Sequence, residues 1–97
     1  LIEPAFNIGI VSEGTRPPDP RFVEQSLDFF AGKHVKLSFP TKCGKCEYMW
    51  VLVTSIAENN DEELRGILDN IPRFEMDITC CDIVEFSRSE VIEVLEN

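Results

Sequence analysis

The chain has 97 residues, 43% of them hydrophobic, with 18 Asp/Glu against 9 Lys/Arg and a net charge of −9. That length suits one domain with a single modest core, and the composition suits a folded globule rather than a disordered tail. The acidic balance argues against nucleic acid, whose phosphates need a basic footprint, and no apolar run approaches the ~20 residues of a membrane-spanning helix.

The charge is unevenly placed. Residues 1–46 hold 6 Lys/Arg and 5 Asp/Glu, whereas residues 47–97 hold 3 and 13. Lys33, His34, Lys36, Lys42 and Lys45 form a local basic stretch with no acid between Asp28 and Glu47. It reads as a solvated face that pairs with the acidic half, with an anion site as the alternative. No basic segment followed by an apolar run opens the chain, so no signal peptide is expected. The four cysteines then read as reduced thiols in a cytoplasmic protein.

In chain order, Phe6, Ile8 and Ile10 alternate over residues 5–11, the period of a half-buried strand. Residues 13–18 form a proline-stiffened loop. Asp19 caps and Pro20 opens a helix expected over residues 20–31, with Phe22, Val23, Leu27 and Phe30 as its apolar stripe and Gly32 as its left-handed stop. Apolar runs at residues 35–39 and 47–56 flank Cys43-Gly44-Lys45-Cys46 and predict a β-hairpin. With Gly44-Lys45 as a two-residue type II′ turn, Cys43 faces Cys46, Lys42 faces Glu47, Thr41 faces Tyr48, Phe39 faces Trp50 and Leu37 faces Leu52. The last two pairs would make a buried ladder. Met49, Val51 and Val53 would point the other way, which suggests a sheet curled toward a small barrel.

Residues 58–61 read as a polar loop. Residues 64–68 read as a short strand in which Gly66 allows a bulge or close packing. Residues 69–72 form a turn, and residues 82–87 a strand with Val84 and Phe86 inward. In the tail, Ser87-Arg88-Ser89-Glu90 has capping-box spacing. Residues 91–94 are rich in β-branched side chains, and a strand is preferred there. The expected architecture is α+β: one N-terminal helix packed on a strongly bent, mostly antiparallel five- to six-stranded sheet, a partial barrel.

Cys43-x-x-Cys46 has the spacing of a metal knuckle, but a zinc site needs further ligands. Only His34 and Cys80-Cys81 could supply them, and adjacent strand residues point to opposite faces unless a loop intervenes. Reduced thiols are preferred over a Cys43–Cys46 disulfide or a metal on Cys43 and Cys46, so no cofactor is expected. A thioredoxin-type motif is disfavoured because this Cys-x-x-Cys joins two strands rather than opening a helix. His34, the sole histidine, reads as solvated or structural. No nucleophile–base pair and no phosphate loop stands out, so the chain is expected not to be an enzyme. Trp50 and Tyr48 are of the types that dominate binding hot spots, but the hairpin register places both on the core face.

Four segments occur in a suggestive order: Gly32-Lys33-His34-Val35-Lys36-Leu37-Ser38-Phe39, then Glu47-Tyr48-Met49-Trp50-Val51, then Gly66-Ile67-Leu68-Asp69-Asn70-Ile71-Pro72, then Asp82-Ile83-Val84-Glu85-Phe86. Together they resemble the YegJ-like family of small uncharacterised bacterial domains over residues 32–86. Cys81-Asp82 stands where that family usually has Gly-Asp, and the cysteines are not part of its pattern. The resemblance implies a compact α+β domain of a bacterial family and lends no established activity.

The functional expectation is a non-catalytic domain that binds another protein through an acidic surface made by Asp61, Glu62, Glu63, Glu90 and Glu93. A basic partner would be favoured by charge complementarity, and an antidote to a basic toxin is one concrete version. The alternatives are a metal- or thiol-dependent module centred on Cys43 and Cys46, and an unrecognised enzyme.

Overall fold

A computed structural model describes residues 6–7, 16–59 and 62–95. Its strands are β1 (Phe6–Asn7), β2 (His34–Pro40), β3 (Cys46–Asn59), β4 (Glu62–Leu68), β5 (Ile83–Phe86) and β6 (Glu93–Leu95). They form one sheet in the order β1-β5-β4-β3-β2-β6. β2 to β6 pair antiparallel, and only the two-residue β1 runs parallel to its neighbour, with Phe6 opposite Val84. Among the described residues no helix is long and apolar enough to cross a membrane.

One face of the sheet makes the core. β2 contributes Val35, Leu37 and Phe39, β3 contributes Met49, Val51 and Val53, β4 contributes Leu64 and Leu68, and β5 contributes Val84 and Phe86, all buried. Phe30, Ile78 and Val91 close over them. Each such side chain contributes roughly 1.5–3 kcal/mol by leaving water. Gly66 stands between Val53 and Val84 in the ladder. A Cβ there would lie 2.4 Å from the Leu52 carbonyl oxygen and 2.7 Å from Val51 Cγ1, so only glycine lets β3 and β4 approach this closely.

The expected α+β architecture is overturned, because among the described residues no long N-terminal helix packs on the sheet. Asp19 does cap, accepting from the Arg21 N–H, and Pro20 does open a helix, but it is a 3₁₀ helix ending at Glu24. Gln25 and Ser26 are extended, and the single-turn α1 (Leu27–Phe30) follows. A twelve-residue helix is marginal on its own, and Phe22, Val23, Phe29 and Phe30 are weak helix formers. The break lets Phe22, Leu27 and Phe29 all reach the core beside buried Phe30. Gly32, at φ +76°, then turns the chain into β2, and its N–H donates to the Val53 carbonyl. The expected partial barrel is replaced by one open sheet, with β1 and β6 at opposite ends of the strand order.

The hairpin register differs from expectation by three residues. Phe39 pairs with Glu47, Leu37 with Met49, Lys36 with Trp50, and Pro40 with Cys46. The Gly44 N–H donates to the Thr41 carbonyl and the Thr41 N–H to the Lys45 carbonyl, with Gly44 at φ +86°. This is a three-residue loop with glycine in the last, left-handed position, not a two-residue turn with glycine first. An odd slip exchanges the faces of a strand. Met49, Val51 and Val53 therefore go inward, while Trp50 and Leu52 lie half-buried on the outer face.

Elsewhere β3 continues through Asn59, so the loop expected from residue 58 starts later. Ile8, Ile10 and residues 13–15 lie outside the described residues. The strand preferred over residues 91–94 is found two residues later, at β6 (Glu93–Leu95), and residues 91–95 form no helix. Ser87 and Glu90 form a capping box on a 3₁₀ turn (Arg88–Glu90), and β6 follows. β5 holds Val84 and Phe86 inward as its alternation predicts.

Two outcomes test this packing. Phe39→Ala should cost about 3–5 kcal/mol in urea unfolding, the usual loss for a buried large aromatic. Trp50→Ala should cost only about 1–2 kcal/mol, from partial burial and a lost cation contact. The Arg21 side chain, then the Arg21 N–H, hold the Asp19 carboxyl down to about 2 from 3.8. The stabilisation from that cap should be complete above pH about 4 and lost as pH falls toward 2. An NMR titration of the Asp19 carboxyl should show the low midpoint, and Arg21→Ala should return it toward the ordinary value.

Candidate functional site

The register that sends Met49 and Val51 inward sends Glu47 inward too, and its side chain is buried beside Phe39. A buried carboxylate needs hydrogen-bond donors. The loop from β4 to β5 supplies them. Oε1 and Oε2 of Glu47 accept from the Arg73 N–H at 3.0 and 2.9 Å, and Oε1 accepts from the Phe74 N–H at 3.1 Å.

Other contacts fasten the same loop along its length. At its start the Asp69 N–H donates to the Trp50 carbonyl, and the Asn70 Oδ1 accepts from the Trp50 N–H. In the middle the Lys42 N–H donates to the Glu75 carbonyl at 2.9 Å, and Lys42 Nζ stands 3.7 Å from Glu75 and 3.6 Å from Asp77. Ile78 is buried in the core and Met76 packs against it. At its end the Cys81 N–H donates to the Leu68 carbonyl and the Leu68 N–H to the Asp82 carbonyl. A loop so fixed still leaves Ile71 77% and Phe74 41% exposed. Arg73, Glu75 and Asp77 are exposed beside them.

The outer face of the sheet carries a second cluster. Lys36 Nζ lies 4.6 Å from the Trp50 ring centroid and 3.9 Å from Glu93. Arg16 bonds Glu93 at 2.6 Å, its guanidinium lies over Tyr48, and its N–H donates to the Tyr48 hydroxyl. The Arg16 hydrogen bond holds the Glu93 carboxyl below the usual carboxylate range. His34 Nε2 meets Asp69 Oδ2 at 2.7 Å, a clasp from β2 to the end of β4.

Of the acids expected to form a binding surface, Asp61 and the Glu62 side chain lie outside what the structure describes. The other three are engaged within the molecule. Glu63 pairs with Arg88 at 2.6 Å. Glu90 is buried, its Oε1 accepting from the Ser87 N–H. Glu93 is held by Arg16 and Lys36. The most exposed carboxylates with recorded partners are Glu75 and Asp77, on the loop that sequence reasoning passed over. The basic stretch does pair with the acidic half: His34 with Asp69, Lys36 with Glu93, Lys42 with Glu75 and Asp77.

All four cysteines are free. Cys43 sits at the hairpin tip while Cys46 pairs with Pro40, so the two do not oppose each other as the two-residue turn required. Thr41 Oγ1, hydrogen-bonded to Cys43 Sγ at 3.2 Å, lowers the Cys43 thiol from its ordinary range. Cys80 and Cys81 occupy a turn rather than a strand, which brings their sulfurs together. Among the described residues no three His, Cys, Asp or Glu side chains gather as a metal site.

The loop was findable in principle. Ile71 and Phe74 are apolar residues set among Asp69, Arg73, Glu75 and Asp77, and the chain has no obvious core position for them. The link to Glu47 depends on the register and was not. Glutamine at position 47 keeps one acceptor and turns an NH₂ toward the loop amides. Glu47→Gln should therefore cost about 1.5–3 kcal/mol, the range for hydrogen bonds to a charged group. The Arg73 and Phe74 amides should lose hydrogen-exchange protection before the strands do.

No family model, no curated protein and no solved structure matches this chain. The YegJ-like resemblance therefore lends no residue and no activity to this site.

Proposed function

We propose that the protein is a non-catalytic domain that binds another protein through the β4–β5 loop. The contact is centred on Ile71 and Phe74 and edged by Glu75 and Asp77. The observation that carries this reading is the buried Glu47 carboxylate, which spends its hydrogen bonds on ordering a loop whose apolar side chains stay in solvent. Ordering a loop before binding removes that entropic cost from the association step. Apolar anchors within a charged rim match the anatomy of protein interfaces. The partner of this chemistry has an apolar pocket bordered by Lys or Arg, and the rim charges speed its encounter. This keeps the basic partner expected from composition but moves the contact from Glu63, Glu90 and Glu93 to the loop.

Ile71→Ser should shift folding stability by only about 0.5 kcal/mol, since Ile71 is 77% exposed, and Phe74→Ser, at 41% exposure, by about 1–1.5 kcal/mol. Each should weaken capture of a partner retained by the wild-type chain at least tenfold. A Glu75→Lys/Asp77→Lys variant should slow association and flatten its salt dependence. A partner held equally well by all three variants would overturn the proposal.

A further inference from the structure

The four residues Thr79, Cys80, Cys81 and Asp82 form a hydrogen-bonded turn: the Asp82 N–H donates to the Thr79 carbonyl at 3.1 Å. Asp82 Oδ2 closes it from the other side by accepting the Thr79 N–H at 2.9 Å. Cys81 is at φ +78°, and no other described non-glycine residue has positive φ. A turn with positive φ only at its third position calls for glycine or asparagine there. Cysteine instead holds a left-handed backbone that residues with a Cβ adopt at a cost. What the arrangement achieves is proximity. Cys80 Sγ and Cys81 Sγ are 3.5 Å apart, whereas adjacent residues of a strand would send them to opposite faces. Cys81 is exposed and Cys80 half-buried, so a small molecule can reach the pair.

We propose that Cys80 and Cys81 are a thiol–disulfide exchange site, which takes the oxidising equivalents of a small-molecule disulfide and closes to a bridge between adjacent residues. The Cys80 thiolate attacks one sulfur of the small disulfide, its S–S bond breaks, and one thiolate leaves. Cys81 then gives its proton to water and attacks the Cys80 sulfur, displacing the second thiolate. Two protein thiols become one disulfide, and one small disulfide becomes two thiols. The Cys81 thiol is pushed up by its hydrogen bond and charge interaction with Cys80, then by burial and by Asp69 and Asp82.

Closure brings the sulfurs from 3.5 Å to ~2.05 Å. Adjacent Cα atoms are ~3.8 Å apart, below the ~4.4–6.8 Å usual for a disulfide. The bridge is therefore strained and easily reduced, which is the character of an exchanging disulfide rather than a permanent staple.

The test equilibrates the whole protein in glutathione buffers from fully reduced to fully oxidised, then alkylates, digests and weighs the peptides. The expected result is loss of two hydrogens on the peptide holding Cys80 and Cys81, without a lasting glutathione adduct, and its reversal in excess reduced glutathione. A Cys43→Ser/Cys46→Ser variant should behave the same way. Cys80→Ser and Cys81→Gly should each trap glutathione on the remaining thiol of the pair. Cys81→Gly suits the turn, so it keeps the test valid should the serine variant fold poorly. Cys80 and Cys81 that stay alkylatable in oxidised glutathione, that carry two separate adducts, or that bridge to Cys43 or Cys46 would overturn the proposal.

Discussion

The Glu47 carboxylate lies among the apolar side chains of the sheet's inner face, where an ion without donors would cost several kcal/mol. Its solution is to take backbone amides rather than a cation. That choice has consequences beyond one residue. Residues 69–82 could have hung free from the sheet edge, but the carboxylate draws their middle back across the hairpin end. Lys42 then holds Glu75 from the other side. With the centre of the loop fixed, Met76 and Ile78 can enter the core. One acidic side chain thus sets the path of a segment with no regular structure of its own.

The face of β3 depends on a single local decision at Gly44. A glycine with positive φ fits both a two-residue and a three-residue hairpin loop, so the residue types alone do not choose between them. Within the hairpin alone the two-residue choice is the better one, because it joins Phe39 to Trp50 and Lys42 to Glu47. The three-residue choice wins on what lies further away. It puts Met49 and Val51 opposite Leu37 and Val35, on the face where Val51 meets Leu68 and Val53 meets Gly66 and, beyond it, Val84. It also lets Glu47 meet the loop. Those partners are remote in sequence, and a hairpin read in isolation cannot weigh them.

Legibility elsewhere follows the same division. The cap at Asp19, the stop at Gly32, the alternation of Val84 and Phe86, and the Ser87–Glu90 box are local chemistry and were readable. Between Asp19 and Gly32 the periodic apolar residues suggest a continuous helix, but they are equally served by a broken segment that turns each ring into the core. The acidic residues of the second half show the same division. A count of carboxylates cannot tell that Glu90 is a buried cap or that Glu63 and Glu93 already have arginines. A loop at Cys80 and Cys81 is one of the readings the sequence allows, but nothing in the residue types announces a left-handed cysteine.

The order of the strands also sets where the sheet is weakest. The inner ladder is built from chain neighbours: β2 with β3, β3 with β4. Both outer pairings join distant parts of the chain, Phe6 with Val84 and Lys36 with Glu93. Each outer strand is two or three residues long, so few ladder bonds repay the entropy of closing a long loop. Opening therefore begins at the margins and reaches the β2–β3–β4 centre last. Because β6 is fastened to β2, where His34 and Lys36 reside, fraying on that side would release Glu93 from Arg16 and Lys36 while leaving the Glu47 anchor closed.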